Sequence, residues 1–344
     1  VVREDKNGTK ASATYTPTVT PVTPTATPVE TTDIQGATQT GKPVFTEGDS
    51  RVPMNDAVPA TFDDGSTTKT VDGVGTYTVA ADGTVTFVPE PSFTGTAPAV
   101  TVVREDMNGT EASATYTPTV TPITVTPTDK VSEDVQNVPQ TQTPTFDLSS
   151  DKTAQITSKK LVDPTTGQPT DATTMTVAGE GTYTIDPTTG AVTFTPEKDF
   201  VGIATGVTVQ ATATITNAAG KTATITSDAT YTPTVVAAVP TAQPATSKDI
   251  QGATQTGTPT FAGTTVQVNG EDKAITIKDN SYTLLDNDGN EVTSTPAYAA
   301  DGTTEIGTYS IDSATGQVTF TPTDKSYTGA VTPAKVQAES SNGI

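Results

Sequence analysis

The stretch GTYTIDPTTGAVTFTP at 181–196 decides the fold class. Its threonines alternate with Tyr183, Ile185, Val192 and Phe194. A period of two gives a strand one buried face and one wet face. Between the two halves, Asp186-Pro187-Thr188-Thr189-Gly190 carries turn chemistry, so the stretch predicts a β-hairpin. The block recurs as GTYTV at 75–79 with VTFVP at 85–89, and as GTYSI at 307–311 with VTFTP at 318–322. Their turns, Ala81-Asp82-Gly83-Thr84 and Asp312-Ser313-Ala314-Thr315-Gly316, place Gly where a tight hairpin needs positive φ.

Working outward, VVREDKNGTKASATYTPTVTP at 1–21 returns at 102–122 with two substitutions, an offset of 101 residues. DIQGATQTG at 33–41 returns at 249–257, and DVQNVPQTQTPTF stands between them at 134–146. The ending TYTPTV occurs at 14–19 and 115–120, and again at 230–235. The chain is therefore a tandem array, with a unit of about 101 residues that insertions lengthen in later copies.

Composition agrees with strands. Threonine makes up about a quarter of the 344 residues, and its β-branch favours extended backbone. In the second unit the strand candidates are 144–149, 153–163, 174–186, 191–196, 206–218 and 221–233. Asn7-Gly8, Asn108-Gly109 and Ala219-Gly220 turn the last hairpin of successive units. Short strands with such turns indicate all-β, tandem antiparallel β-sandwich (Ig-like) repeats joined by Pro/Thr-rich linkers. The expected domains are the last hairpin of a preceding repeat at 1–21, sandwiches at 30–122 and 131–236, and a sandwich at 246–344 without its final strand. Because neither end respects the period, the chain reads as a piece of a longer array.

Fifteen of the 18 aromatic residues fall into five equivalent sets: Phe45/Phe146/Phe261, Tyr77/Tyr183/Tyr309, Phe87/Phe194/Phe320, Phe93/Phe200/Tyr327 and Tyr15/Tyr116/Tyr231. A stacking platform for sugars or bases is one reading, but a repeated core is the simpler one. Five such rings contribute on the order of 10 kcal/mol per unit before entropy. The segments 17–32, 118–128 and 233–248 read as polyproline II linkers that separate the bodies, with their Val and Ile extending the last strand or docking on the next body.

The net charge of −21 argues against nucleic-acid or membrane-surface partners, and no run is long and apolar enough to span a bilayer. With no Cys there is no disulfide, and with no His the usual general base and metal ligand are missing. Asp286-Asn287-Asp288-Gly289-Asn290-Glu291 resembles part of a calcium loop, but the outer ligand positions fall on Leu284 and Thr295, which favours a hairpin. A Lys–Asn crosslink needs a fixed buried lysine. Lys69 has no counterpart, and Lys198 and Lys325 face Pro91 or Ser92. Asn7-Gly8-Thr9 and Asn108-Gly109-Thr110 fit a glycosylation sequon and fit a turn better. Acidic residues lie mostly in turns and differ between units, unlike the fixed carboxylate pair of a glycosidase. No catalytic, cofactor-binding or metal residue is assigned, no cofactor is expected, and the protein is not read as an enzyme.

DIQGATQTG…PTF, the GTYT-to-VTFTP block with its trailing aromatic-Gly pair, and TYTPTV resemble the CshA-type fibril repeat of streptococcal surface adhesins, in register over essentially the whole chain. The resemblance implies a secreted cell-surface protein of a Gram-positive bacterium, cell-wall anchored outside this segment. It also implies a structural stalk that extends an adhesive tip, with neighbouring repeats of the same chain as partners. Contact with host extracellular matrix or other bacterial surfaces would fall to regions outside this segment. The alternative is that repeats themselves bind a host matrix protein or glycan, with the insertion at 266–300 as the first place to look. Donation of a strand from 1–15 to the last unit reads as a consequence of where the segment was cut.

Overall fold

The computed structural model describes residues 1–344 and contains strands without helices. The first repeat pairs Gln39–Gly41, Val85–Pro89, Gly75–Val79 and Thr68–Val71 in one antiparallel sheet. The facing sheet holds Gly95–Thr96, Glu111–Thr121, Val100–Glu105 and Thr61–Phe62. One strand departs from the antiparallel pattern. Val29–Ile34 runs parallel to the closing strand Glu111–Thr121, with Val29 opposite Tyr116 and Ile34 opposite Thr121. The second repeat has the same device, Lys130–Val135 running parallel to Tyr231–Val236 of its closing strand Thr222–Val236.

The GTYT blocks form hairpins as their turns dictate, with Tyr183 opposite Phe194 and Tyr309 opposite Phe320. The glycine that opens each block is required by close approach. A Cβ at Gly75, Gly181 or Gly307 would collide with the carbonyl oxygen of Val88, Thr195 or Thr321 on the partner strand. The candidate strand at 174–186 is instead two strands, Thr174–Val177 and Gly181–Ile185. Gly179, at φ 79°, and a bond from Glu180 N to Val177 O turn the chain there.

The aromatic sets are core in the first two repeats. Tyr77, Phe87, Tyr116, Tyr183, Phe194 and Tyr231 are fully buried. Tyr77 packs on Phe87 at 4.5 Å between ring centres and meets Tyr116 edge-on at 6.4 Å. Tyr183 does the same with Phe194 at 4.6 Å and Tyr231 at 6.3 Å. Burial of their rings pushes the Tyr77 and Tyr183 hydroxyls well above the usual tyrosine range. Tyr15 breaks its set: it is exposed, in a segment whose only pairing is the hairpin Val2–Glu4 with Lys10–Ser12.

The polyproline reading of the linkers is corrected. Pro118 lies inside the closing strand Glu111–Thr121, and Pro233 inside Thr222–Val236. Their carbonyls accept from Ala97 N and Ala204 N, each at 2.9 Å, so the missing N–H leaves the carbonyl side of the ladder intact. Thr25–Thr27 is also strand, paired with Val44–Thr46. Contacts gather the chain into two compact units. One is Val1–Thr126 with Leu148–Thr157 and Thr212–Thr226, and the other is Pro127–Asp147 with Ser158–Ala211 and Ser227–Ile344. The first therefore contains the first repeat with two segments of the second, and the second contains the rest of the second repeat with all of the third.

Candidate functional site: the joints between repeats

In the first unit, the chain leaves the closing strand through residues 122–124. Ile123 is buried there with Ala154 and Ile215, while Ile34, Leu148 and Ile225 pack around them. At about 25 cal/mol per Å², such burial is the main attraction available to a joint without covalent staples. Polar groups surround the patch. Lys152 Nζ lies 2.6 Å from Asp33 Oδ2, and Thr153 Oγ1 donates to Gln35 O at 2.6 Å. Lys221 reaches Glu90 at 2.5 Å.

Asn217 is placed by its own turn. Its Oδ1 accepts from Ala219 N and Lys221 N, both at 3.0 Å, which leaves Nδ2 free to donate to Pro89 O at 2.8 Å. Gln35 links the two halves of the seat, donating to Pro91 O at 2.8 Å and accepting from Ile123 N at 3.2 Å. Burial opposes ionisation of Asp33. The Lys152 hydrogen bond and the Ile34 amide outweigh it, and the carboxyl stays below its ordinary range.

The second unit holds a joint built at the same positions. Val135 stands for Ile34 and Ala238 for Ile123, and they cluster with Ile275, Val138, Val266 and Val268. Lys273 pairs with Asp134, as Lys152 does with Asp33. Asn342 Nδ2 donates to Gln136 O at 3.1 Å and Ala238 O at 3.2 Å, and its own carbonyl accepts from Asn137 Nδ2 at 2.9 Å. The first half of the insertion at 266–300 is thus committed. Its hairpin, Thr264–Val268 with Glu271–Ile275, supplies Val266, Val268, Lys273 and Ile275 to this joint.

The remaining candidates sit in turns, apart from Lys69, which lies in the strand Thr68–Val71. Asp286 accepts from Asp288 N at 2.9 Å and Asn290 N at 2.8 Å, and the Asn290 amide first among these bonds holds its carboxyl low. Its loop closes the short hairpin of Thr283–Leu285 with Glu291–Val292. Lys69 pairs with Asp63 and Asp64 and lies 5.4 Å over the Phe62 ring. Lys198 is exposed, and its backbone carbonyl accepts from Gln136. Lys325 is exposed and backs Gly252. Asn7 and Asn108 occupy turns in which Asp5 and Asp106 each accept two backbone amides. No helix is long and apolar enough to cross a membrane.

A family model described as "Surface adhesin CshA repetitive domain" matches residues 21–120, 122–235 and 237–344. No curated protein matches the chain. Among solved structures, repeat domain 13 of the fibrillar adhesin CshA from Streptococcus gordonii is 53% identical over 20% of this chain and 90% of that one, at a TM-score of 0.14. The I9–I11 tandem of titin is 13% identical over 92% of this chain and 97% of that one, at 0.32. Drosophila N-cadherin EC1-4 is 13% identical over 94% and 72%, at 0.23.

Proposed function

The chain belongs to the surface adhesin CshA repetitive-domain family, and from that premise we propose that its repeats are the stalk of a cell-wall-anchored fibril that holds an adhesive tip away from the cell. The observation that carries this reading is the joint built twice on equivalent acceptor residues, Asp33 paired with Lys152 and Asp134 with Lys273. Each joint is centred on buried apolar side chains. A spacer needs each body to seat the next, and those seats are where the chain invests its apolar side chains outside the sandwich cores. The function is mechanical, and no side chain is assigned a chemical step. The partners are the neighbouring repeats, and the charge of −21 opposes collapse onto other acidic surfaces. Host contact is assigned to regions outside these repeats, since the first half of the 266–300 insertion is occupied in a joint.

Small-angle scattering on the chain tests the reading. A stalk gives a radius of gyration well above the roughly 20 Å of a compact 344-residue body. A value near that figure would sink the proposal.

A further inference from the structure

The hairpin that feeds the second joint turns on Asn269-Gly270. Val268 faces Glu271 across the turn, and both turn residues take positive φ, 53° at Asn269 and 80° at Gly270. Asn-Gly is the pair such a turn selects, because its twist matches that of the flanking strands. The same pair is chemically the most labile setting for an asparagine. Glycine has no side chain to hinder approach, so its backbone nitrogen can reach the amide carbon of the residue before it.

Asn-Gly occurs at 7–8, 108–109, 269–270 and 342–343. In all but one of these pairs the glycine nitrogen is tied down. Gly8 N donates to Asp5 O at 3.1 Å, Gly109 N to Asp106 O at 2.9 Å and Gly343 N to Ser340 O at 2.8 Å. Gly270 N has no protein partner, and both residues of its turn are exposed. Asn269 itself is held by one long bond, from Nδ2 to Glu133 O of the preceding repeat at 3.2 Å.

We propose that Asn269 is a self-modification site, at which the second joint ages by deamidation. Gly270 N loses its proton and attacks Asn269 Cγ. The new C–N bond closes a succinimide ring, and the Cγ–Nδ2 bond breaks as ammonia leaves with the proton. Water then opens the ring at either carbonyl, giving aspartate or isoaspartate. Water is the one co-reactant, and no other side chain takes part.

Both products put a carboxylate where an amide now donates to Glu133 O, so an attraction across the joint becomes a repulsion. Isoaspartate also lengthens the main chain within a turn whose length fixes the strand register. That register delivers Val266, Val268 and Ile275 to the joint and Lys273 to Asp134. The first joint draws on Leu148, Ile215 and Ile225, and no Asn-Gly pair adjoins them. The inference needs only this hairpin and its contacts, and it stands apart from the stalk reading.

Peptide mapping by mass spectrometry tests the site, on the whole chain held in mildly alkaline buffer, where more of the attacking nitrogen is deprotonated. Aspartate and isoaspartate should accumulate at 269 several-fold faster than at 108, which has the same dipeptide. An Asn269 that keeps its amide, or that converts no faster than Asn108, overturns the proposal. Thermal unfolding of fresh and aged protein reads the consequence for the joint. Ageing should lower the midpoint of the unchanged chain more than that of Asn269→Gly, because Gly-Gly keeps the turn and removes the reactive amide. An equal loss in the two chains, or none in either, overturns the link between the site and the joint.

Discussion

The two joints occupy the same positions and differ in quality. The first buries Ile123 and satisfies both ends of Gln35. The second buries Ala238 at the equivalent place, and Gln136 donates to Lys198 O while its Oε1 is buried without a partner. An orphaned buried acceptor costs about 1–3 kcal/mol. Asn342 offsets part of this with two bonds to the preceding repeat and one to Ala238 O in the connecting segment, where Asn217 makes one bond. Position is therefore repeated, while the strength of each joint is set locally by side-chain choice.

The largest expected effect comes from converting one joint toward the other. Ile123→Ala should destabilise the first joint by about 2–4 kcal/mol, because the site is buried and enclosed. Denaturant unfolding of the whole chain measures it, and a loss below about 1 kcal/mol would mean that the patch carries little of the contact. Next, Gln35→Leu should cost about 1–3 kcal/mol, whereas Gln136→Leu should stay within about 1 kcal/mol because its acceptor is already unsatisfied. Equal losses would erase the distinction between the joints.

Smallest is the ion pair. Lys152→Met should cost only about 0.2–1 kcal/mol, since Lys152 is largely wet and Asp33 stays partly exposed, and added salt should shrink the difference further. Asp33 is held below its ordinary value of 3.8, so its contribution is present above that value and disappears as pH falls through the lower folded value. Unfolding midpoints of Asp33→Asn and the unchanged protein should differ at pH 6 and converge in stronger acid. A gap that persists there would assign the effect to something other than charge.

The hairpins and the aromatic core were legible because each rests on side chains that recur at a fixed spacing. One core position escaped. Phe62, Leu161 and Leu284 are all buried to 1% or less, yet the residue type changes and no shared motif flags it. Only the acceptor half of each joint showed in the sequence, as the recurring Asp33/Asp134/Asp249 motif. The inserting half did not, because Leu148, Ile215 and Ile225 in one joint become Val266, Val268 and Ile275 in the other, drawn from stretches that do not align. The prolines misled for a physical reason. A residue without an N–H is a poor guess for a strand, but Pro118, with Thr31 on one side and the 95–97 segment on the other, still enters the ladder through its carbonyl, which accepts from Ala97 N.

The parallel pairing of entry and exit strands has a consequence under load. Tension applied to the two ends of the first repeat would drag Val29–Ile34 and Glu111–Thr121 in opposite directions along a common axis. Their six facing residue pairs are then sheared together instead of unzipping one after another, and the same holds for the six pairs of Lys130–Val135 with Tyr231–Val236. A hairpin peeled from its open end would yield one rung at a time at low force. In a repeat pulled at its two ends, this sheared pairing would lie on the path of the pull.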